Sequence, residues 1–297
     1  METFLEPFQY EFFRNGVIVA VLTGALCGLI GTFVVLRGMS YIGHGLSHAI
    51  FGGAAASAVI GLNFFVGAGI WGLASALAIG RVSRRGIIGS DAAIGVITTA
   101  SFAFGLALFG LFGQAQKSTD ALLFGSILGV EPIDLWVTAA VGVVAVLLIV
   151  GRYRALLFTT FDPEVAAVSG VRTGRIDALL MLMLALSILV TMQVLGVILI
   201  AAMLVIPPTI TRLLTNSFSR MLWGSAVIGA SCGLVGMTAS YHLDIASGAA
   251  VVLTGAALFV VVYAITGRTH RPERTVAESP AEAPTITPVT SVTPVEG

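Results

Sequence analysis

Apolar runs of about 20 residues recur along almost the whole of this chain, and each is long enough to cross roughly 30 Å of hydrocarbon. In lipid such a run can only be helical, because an open strand leaves its N–H and C=O groups without partners. The period-two alternation of a membrane barrel is absent. The runs read as 16–36, 42–61, 63–80, 91–112, 133–151, 176–194, 195–211, 221–240 and 246–266. The expected fold is all-α, a polytopic membrane protein with about eight or nine transmembrane helices. The second run is the least apolar, because it holds His44, Ser47 and His48. The stretch 176–211 is one continuous run broken near Gln193 and Gly196.

Composition excludes the soluble alternative. Only 10% of the chain is charged and 57% is hydrophobic, whereas a soluble domain carries about 25% charge to meet water. The 35 glycines suit membrane helices packed backbone to backbone. Formal net charge is zero, so nothing points to nucleic acid. Cys27 and Cys232 lie inside apolar runs and form no disulfide framework.

Three regions follow. Residues 1–15 are a short lead without a basic region or a small-residue cleavage site, so the first run is read as a retained helix rather than a removed signal. Residues 16–267 read as one transmembrane domain, and 268–297, rich in Pro, Thr, Val and Glu, read as a disordered cytoplasmic tail. If the first span enters from outside and nine spans alternate, 13 of the 15 basic residues face the cytoplasm, and only Arg14 and Lys117 lie outside. That orientation puts the multi-pass chain in the plasma (inner) membrane with its C-terminus inside. Residues 113–132 are expected to hold an outer half-helix. In the inner stretch 155–175, Asp162 can cap a short helix, Pro163 and Glu164 fit its first turn, and Gly170 can end it in a left-handed conformation.

His44 and His48 carry the sharpest chemical signal. Four apart on a helix, they share one face, and ionisable groups within a span are costly enough to suggest function. Two imidazoles at this spacing can ligate a divalent ion such as zinc. Alternatively, both rings bond to nearby carbonyls or to Ser40 and Ser47. Gly43 and Gly45 leave space for a close neighbour or a passing ion. Asp91 reads as an N-cap after Gly89-Ser90, and His242 with Asp244 as a wet helix end. Gln193 can line a polar path or bond across helices, and Pro207-Pro208 are expected to bend or end their helix. No GxxxxGK[ST] or HExxH motif is present, so no ATPase or hydrolase chemistry is expected of the chain and no bound cofactor.

From about residue 10 to 266 the chain resembles the permease subunit of bacterial ATP-binding-cassette importers for zinc and manganese. The resemblance lies in FVVLRGMSYIGHGLSHAIFGG (33–53), GSDAAIGVITTASFAFG (89–105), DALLFGSILGV (120–130), LLFTTFDPEVAAVSGV (156–171), QVLGVILIAAMLVIPPTITRLLT (193–215) and YHLDIASGAAVVL (241–253). It implies a second permease copy or paralogue, cytoplasmic ATPase subunits that supply ATP-driven energy, and an extracytoplasmic metal-binding protein. It also implies a coupling helix at Phe161 to Gly170, including Asp162, Pro163 and Glu164, and a metal path through His48. The family usually has Asp where this chain has His44, and Pro near Gly52 or Gly53. Imidazole in place of carboxylate removes a hard oxygen, which tilts the site toward zinc. Two other classes are a secondary transporter driven by an ion gradient, disfavoured by the scarcity of carboxylates in the spans, and a non-transport membrane scaffold for a surface or secretion system.

Overall fold

The computed structural model describes residues 6–84, 88–112, 131–197 and 199–266. Among them, a 3-10 turn at Glu6–Gln9 is followed by eleven α-helices. They are α1 (Glu11–Leu36), α2 (Ile42–Val59), α3 (Phe64–Arg84), α4 (Ser90–Phe112), α5 (Pro132–Gly151), α6 (Tyr153–Phe161), α7 (Pro163–Val168), α8 (Thr173–Leu195), α9 (Ile200–Leu214), α10 (Phe218–Leu243) and α11 (Ser247–Thr266). Nine of them take up the nine apolar runs one for one. Seven are long and apolar enough to cross a membrane, and α9, with 15 residues, is shorter. α2 has 18 residues but is interrupted by His44, Ser47 and His48.

The bundle is built around α1. Of its most apolar stretch 78% is buried, against 17% for α5 and 22% for α11, so α1 is a central post and the other two lie at the perimeter. The tightest pairing is α1 with α10. A Cβ on Gly24 would strike the Gly229 carbonyl, one on Gly28 the Ser225 carbonyl, and one on Gly233 the Ala20 carbonyl. These contacts repeat every four residues on each helix and let two backbones touch where no side chain fits. Many hydroxyls within the bundle are satisfied locally, though Thr23 Oγ1 is buried without a partner among the described residues. Thr32, Thr98, Ser101, Ser187, Thr191 and Ser225 each donate to the carbonyl four residues back.

α2 is enclosed by α3, α4, α8 and α9. Every described residue of α2 is buried or half-buried. Its low apolarity therefore carries little cost, since protein rather than lipid surrounds it.

Four expectations change. The first helix starts at Glu11, not near Gly16, because the aromatic lead packs: Phe13 is fully buried, edge-on to Phe8 and Tyr241. Pro207 and Pro208 do not end α9, which runs on to Leu214. The Leu204 carbonyl, deprived of its donor at Pro208, lies against the bare Gly31 of α1, so the neighbouring helix absorbs the defect. Asp91 is not an N-cap but sits in the first turn of α4, where its charge still complements the helix dipole. Phe161 closes α6 instead of opening the next helix, because Asp162 before Pro163 is extended. The long run does break at Gly196, with φ of 77°. The half-helix expected within 113–132 and the tail at 268–297 lie outside the described residues.

Candidate metal centre

α2 begins directly after a closed turn. Gly38, with φ of 67°, ends α1 by giving its N–H to Val35 O, while the Met39 N–H reaches Val34 O. The Ile42 N–H then bonds Met39 O. This glycine-ended cap fixes where α2 starts and hence where His44, its third residue, points.

Packing sets the two rings. Added side chains at Gly43 and Gly45 would meet Leu204 of α9 at 2.7 Å and Ile94 and Thr98 of α4 at 2.7 and 2.9 Å. The glycines therefore admit close neighbours rather than an open ion path. Tyr41 lies beside His44 with ring centres 5.5 Å apart, and Phe102 of α4 meets His48 edge-on at 4.6 Å. Between these walls the imidazoles stand nearly perpendicular, with centres 4.4 Å apart and an interplanar angle of 84°. Their Nε2 atoms face each other at 3.2 Å.

The bonding around the rings differs from the serine contacts named as one of the two sequence readings. Ser47 does not serve the rings, because its hydroxyl donates to the His44 carbonyl at 2.8 Å. Ser40 is exposed in the preceding turn. Each ring's nearest polar partner is the other ring. Two lone pairs aimed at one point repel unless a proton or a cation lies between them. In a tetrahedral zinc site with bonds of about 2.0–2.1 Å, adjacent nitrogens stand about 3.3 Å apart, close to the separation here. The His48 Nδ1 is buried and without a partner among the described residues.

Among the described residues the donor set stops at two nitrogens. Among the described residues, no group of three or more His, Cys, Asp and Glu side chains converges. Gln193 lies in the last turn of α8, its side chain outside the described ones. His242 and Asp244 form the exposed end of α10, where Asp244 is the left-handed cap and His242 lies edge-on to Tyr241.

At the other group of predicted residues, Asp162 Oδ1 accepts from the Val165 N–H at 2.9 Å, Pro163 opens α7, Glu164 sits in its first turn, and Gly170 has φ of 82°. The Gly170 N–H bonds Ala167 O and the Val171 N–H bonds Ala166 O. α7 is thus capped at both ends by local chemistry. Only Ala166 of α7 is buried, whereas Val165 and Val168 are 51% and 91% exposed.

Sequence reasoning missed two features. Phe102 against His48 left no signal, since nothing in the α4 pattern singles it out. The second is an ion pair: Arg37 Nη1 donates to Asp177 Oδ1 at 2.7 Å, with the side chains 11% and 19% exposed. Asp177, a carboxylate inside the run 176–194, is a legible sign of such a partner.

Comparison with known proteins agrees with this architecture. The chain is 39% identical over 257 residues to a manganese transport system membrane protein, MntC, of Halalkalibacterium halodurans, covering 86% of this chain and 87% of that protein. It is 40% identical over 259 residues to the manganese import system permease protein ScaB of Streptococcus parasanguinis, covering 86% and 91%. Its fold is similar to that in a solved structure of PsaBC from Streptococcus pneumoniae in complex with Fab, with TM-score 0.78, 37% identity, and 88% of this chain and 94% of that one covered. The model of the ABC 3 transport family matches residues 9–266, and the chain belongs to that family of membrane transport proteins.

Proposed function

We propose that the chain is the permease subunit of an ATP-driven importer that moves divalent manganese or zinc into the cell, and that His44 and His48 ligate the ion in transit. The observation that carries this reading is the Nε2 pair, converged at 3.2 Å inside a helix enclosed by protein. Two nitrogens are half of a tetrahedral set. A second copy or a paralogue, facing the first, contributes the other half. The relatives' names favour manganese. The all-nitrogen pair suits zinc better than an oxygen-rich site would. Both metals are therefore substrates to be compared.

Energy enters at α7. Its exposed Val165 and Val168, with Phe161 just before it at 61% exposure, offer an apolar face for an ATPase subunit. With the tail cytoplasmic, α7 and the ATPase lie on the same side, and an extracytoplasmic binding protein delivers the ion to the opposite face. The test is uptake into vesicles holding the permease and its ATPase, with manganese and zinc in competition. Metal-dependent uptake driven by ATP is the expected result. Uptake driven by an ion gradient without ATP would replace this reading by a secondary transporter.

A further inference from the structure

Arg37 occupies a junction that neither the metal pair nor α7 explains. Its Nη1 bonds Asp177 on α8 at 2.7 Å, and its Nε donates to Thr160 Oγ1 on α6 at 3.3 Å. α6 leads into α7, and α8 leads out of it. On the other side, Arg37 caps α1 and opens the turn that starts α2. One side chain thus holds both arms of α7 and the root of the helix that carries His44 and His48.

The turns on both sides of Arg37 are closed by backbone bonds. From Arg37 to Ile42 the chain is closed by successive backbone bonds, so a displacement of Arg37 is passed to the start of α2. From Phe158 to Thr173 it is closed in the same way: the Asp162 N–H bonds Phe158 O, the Ser169 N–H bonds Val165 O, and the Thr173 N–H bonds Val171 O. The Thr160 bond links these two stiff turns, and the ion pair ties Arg37 to α8 just beyond the second. Arg37 also keeps one donor unspent, since Nη2 is buried without a partner among the described residues. Buried donors are normally satisfied, and a spare one leaves the guanidinium able to exchange acceptors as the arms shift. Packed elements move between discrete arrangements rather than deforming smoothly.

We infer that Arg37, with Asp177 and Thr160, is the positioning residue that transmits motion of α7 to the histidine-bearing helix. This inference rests on the proposed role of α7 as the ATPase contact. It predicts that cutting the link separates ATP hydrolysis from metal movement.

The experiment uses vesicles containing the permease, its ATPase and the binding protein, with manganese chloride as probe, and reads manganese taken up per ATP hydrolysed. The decisive variant is the double substitution R37M/D177L, because replacing a buried ion pair by apolar groups of similar size usually leaves folding intact. The expected result is normal assembly with the ATPase and an uptake-to-hydrolysis ratio reduced about five-fold or more, the usual lower range of a coupling effect. R37K, which keeps the charge but loses the fork to Thr160, should recover part of the ratio. A wild-type ratio in R37M/D177L overturns the inference. So does a double variant that no longer assembles, since the pair would then be a structural staple. If the unaltered protein neither retains the ATPase nor takes up manganese, the proposed function itself falls and takes this inference with it.

Discussion

The seam between α1 and α10 and the first two turns of α2 both depend on glycine, and they use it in opposite ways. In the seam, Gly24, Gly28 and Gly233 put backbone against backbone carbonyl. Nothing there can move without opening the contact, because a carbonyl has no rotamers. In α2, the Cβ atoms missing from Gly43 and Gly45 would meet side-chain methyls of Leu204, Ile94 and Thr98. Side-chain ends can rotate. The seam therefore behaves as fixed scaffold, and the start of α2 as a packed region with room to adjust.

The comparison breaks most visibly at the seam. Gly24→Val drives two methyls into the backbone of α10, so the cost should exceed the roughly 1–3 kcal/mol of ordinary overpacking. The expected outcome is loss of monodisperse protein after detergent extraction, measured by size-exclusion chromatography. Recovery at wild-type yield would mean the seam is as adjustable as α2. His48→Ala should act the other way, with protein yield kept and manganese uptake reduced about ten-fold or more, the equivalent of about 1.4 kcal/mol of lost ligation. Wild-type uptake should weaken on acidification, since imidazole must be unprotonated to ligate. A His48→Ala protein that transports normally removes the metal assignment.

Smaller effects sharpen the picture. Gly170→Val places a β-branched residue at φ of 82°, at a cost of about 1–2 kcal/mol, and Asp162→Ala removes a cap worth about 0.5–2 kcal/mol. Both should lower uptake while the membrane helices stay folded, as judged by unchanged thermal unfolding of the bundle. Uptake at the wild-type rate in both would detach α7 from coupling. The mildest change is His44→Asp. It restores a hard oxygen beside His48 and should shift the zinc-to-manganese preference several-fold toward manganese, read from competition between the two ions. Unchanged preference would show that His44 does not touch the ion.

What the sequence disclosed was whatever is decided locally. Each span announces itself by its own apolarity, so nine runs became nine helices. α7 was legible because Asp162, Pro163 and Gly170 act within a few residues of themselves. The four-residue spacing of His44 and His48 put the rings on one face before any packing was known. What it withheld was decided at a distance. Arg37 finds Asp177 across 140 positions. Pro207 and Pro208 read as a bend or an end of their helix because the relief, bare Gly31 on α1, is invisible from their own segment. The early start of α1 depended on Tyr241 being there to receive Phe13. Phe102 shapes the His48 wall for reasons that exist only once α4 lies beside α2.

The enclosure of α2 also bears on how the chain is made. A ribosome delivers α2 after α1 and before the helices α3 and α4 that will surround it. Segments leave the translocation channel for lipid according to their apolarity, and α2 arrives with two imidazoles and before any of the helices that enclose it. Its insertion is therefore expected to wait for those partners, which would make the order of helices in the gene part of the assembly pathway. A nascent chain halted at Val59 should leave His44 and His48 open to water-borne modification, whereas one halted at Phe112 should shield them. Equal shielding in both would show that α2 enters on its own.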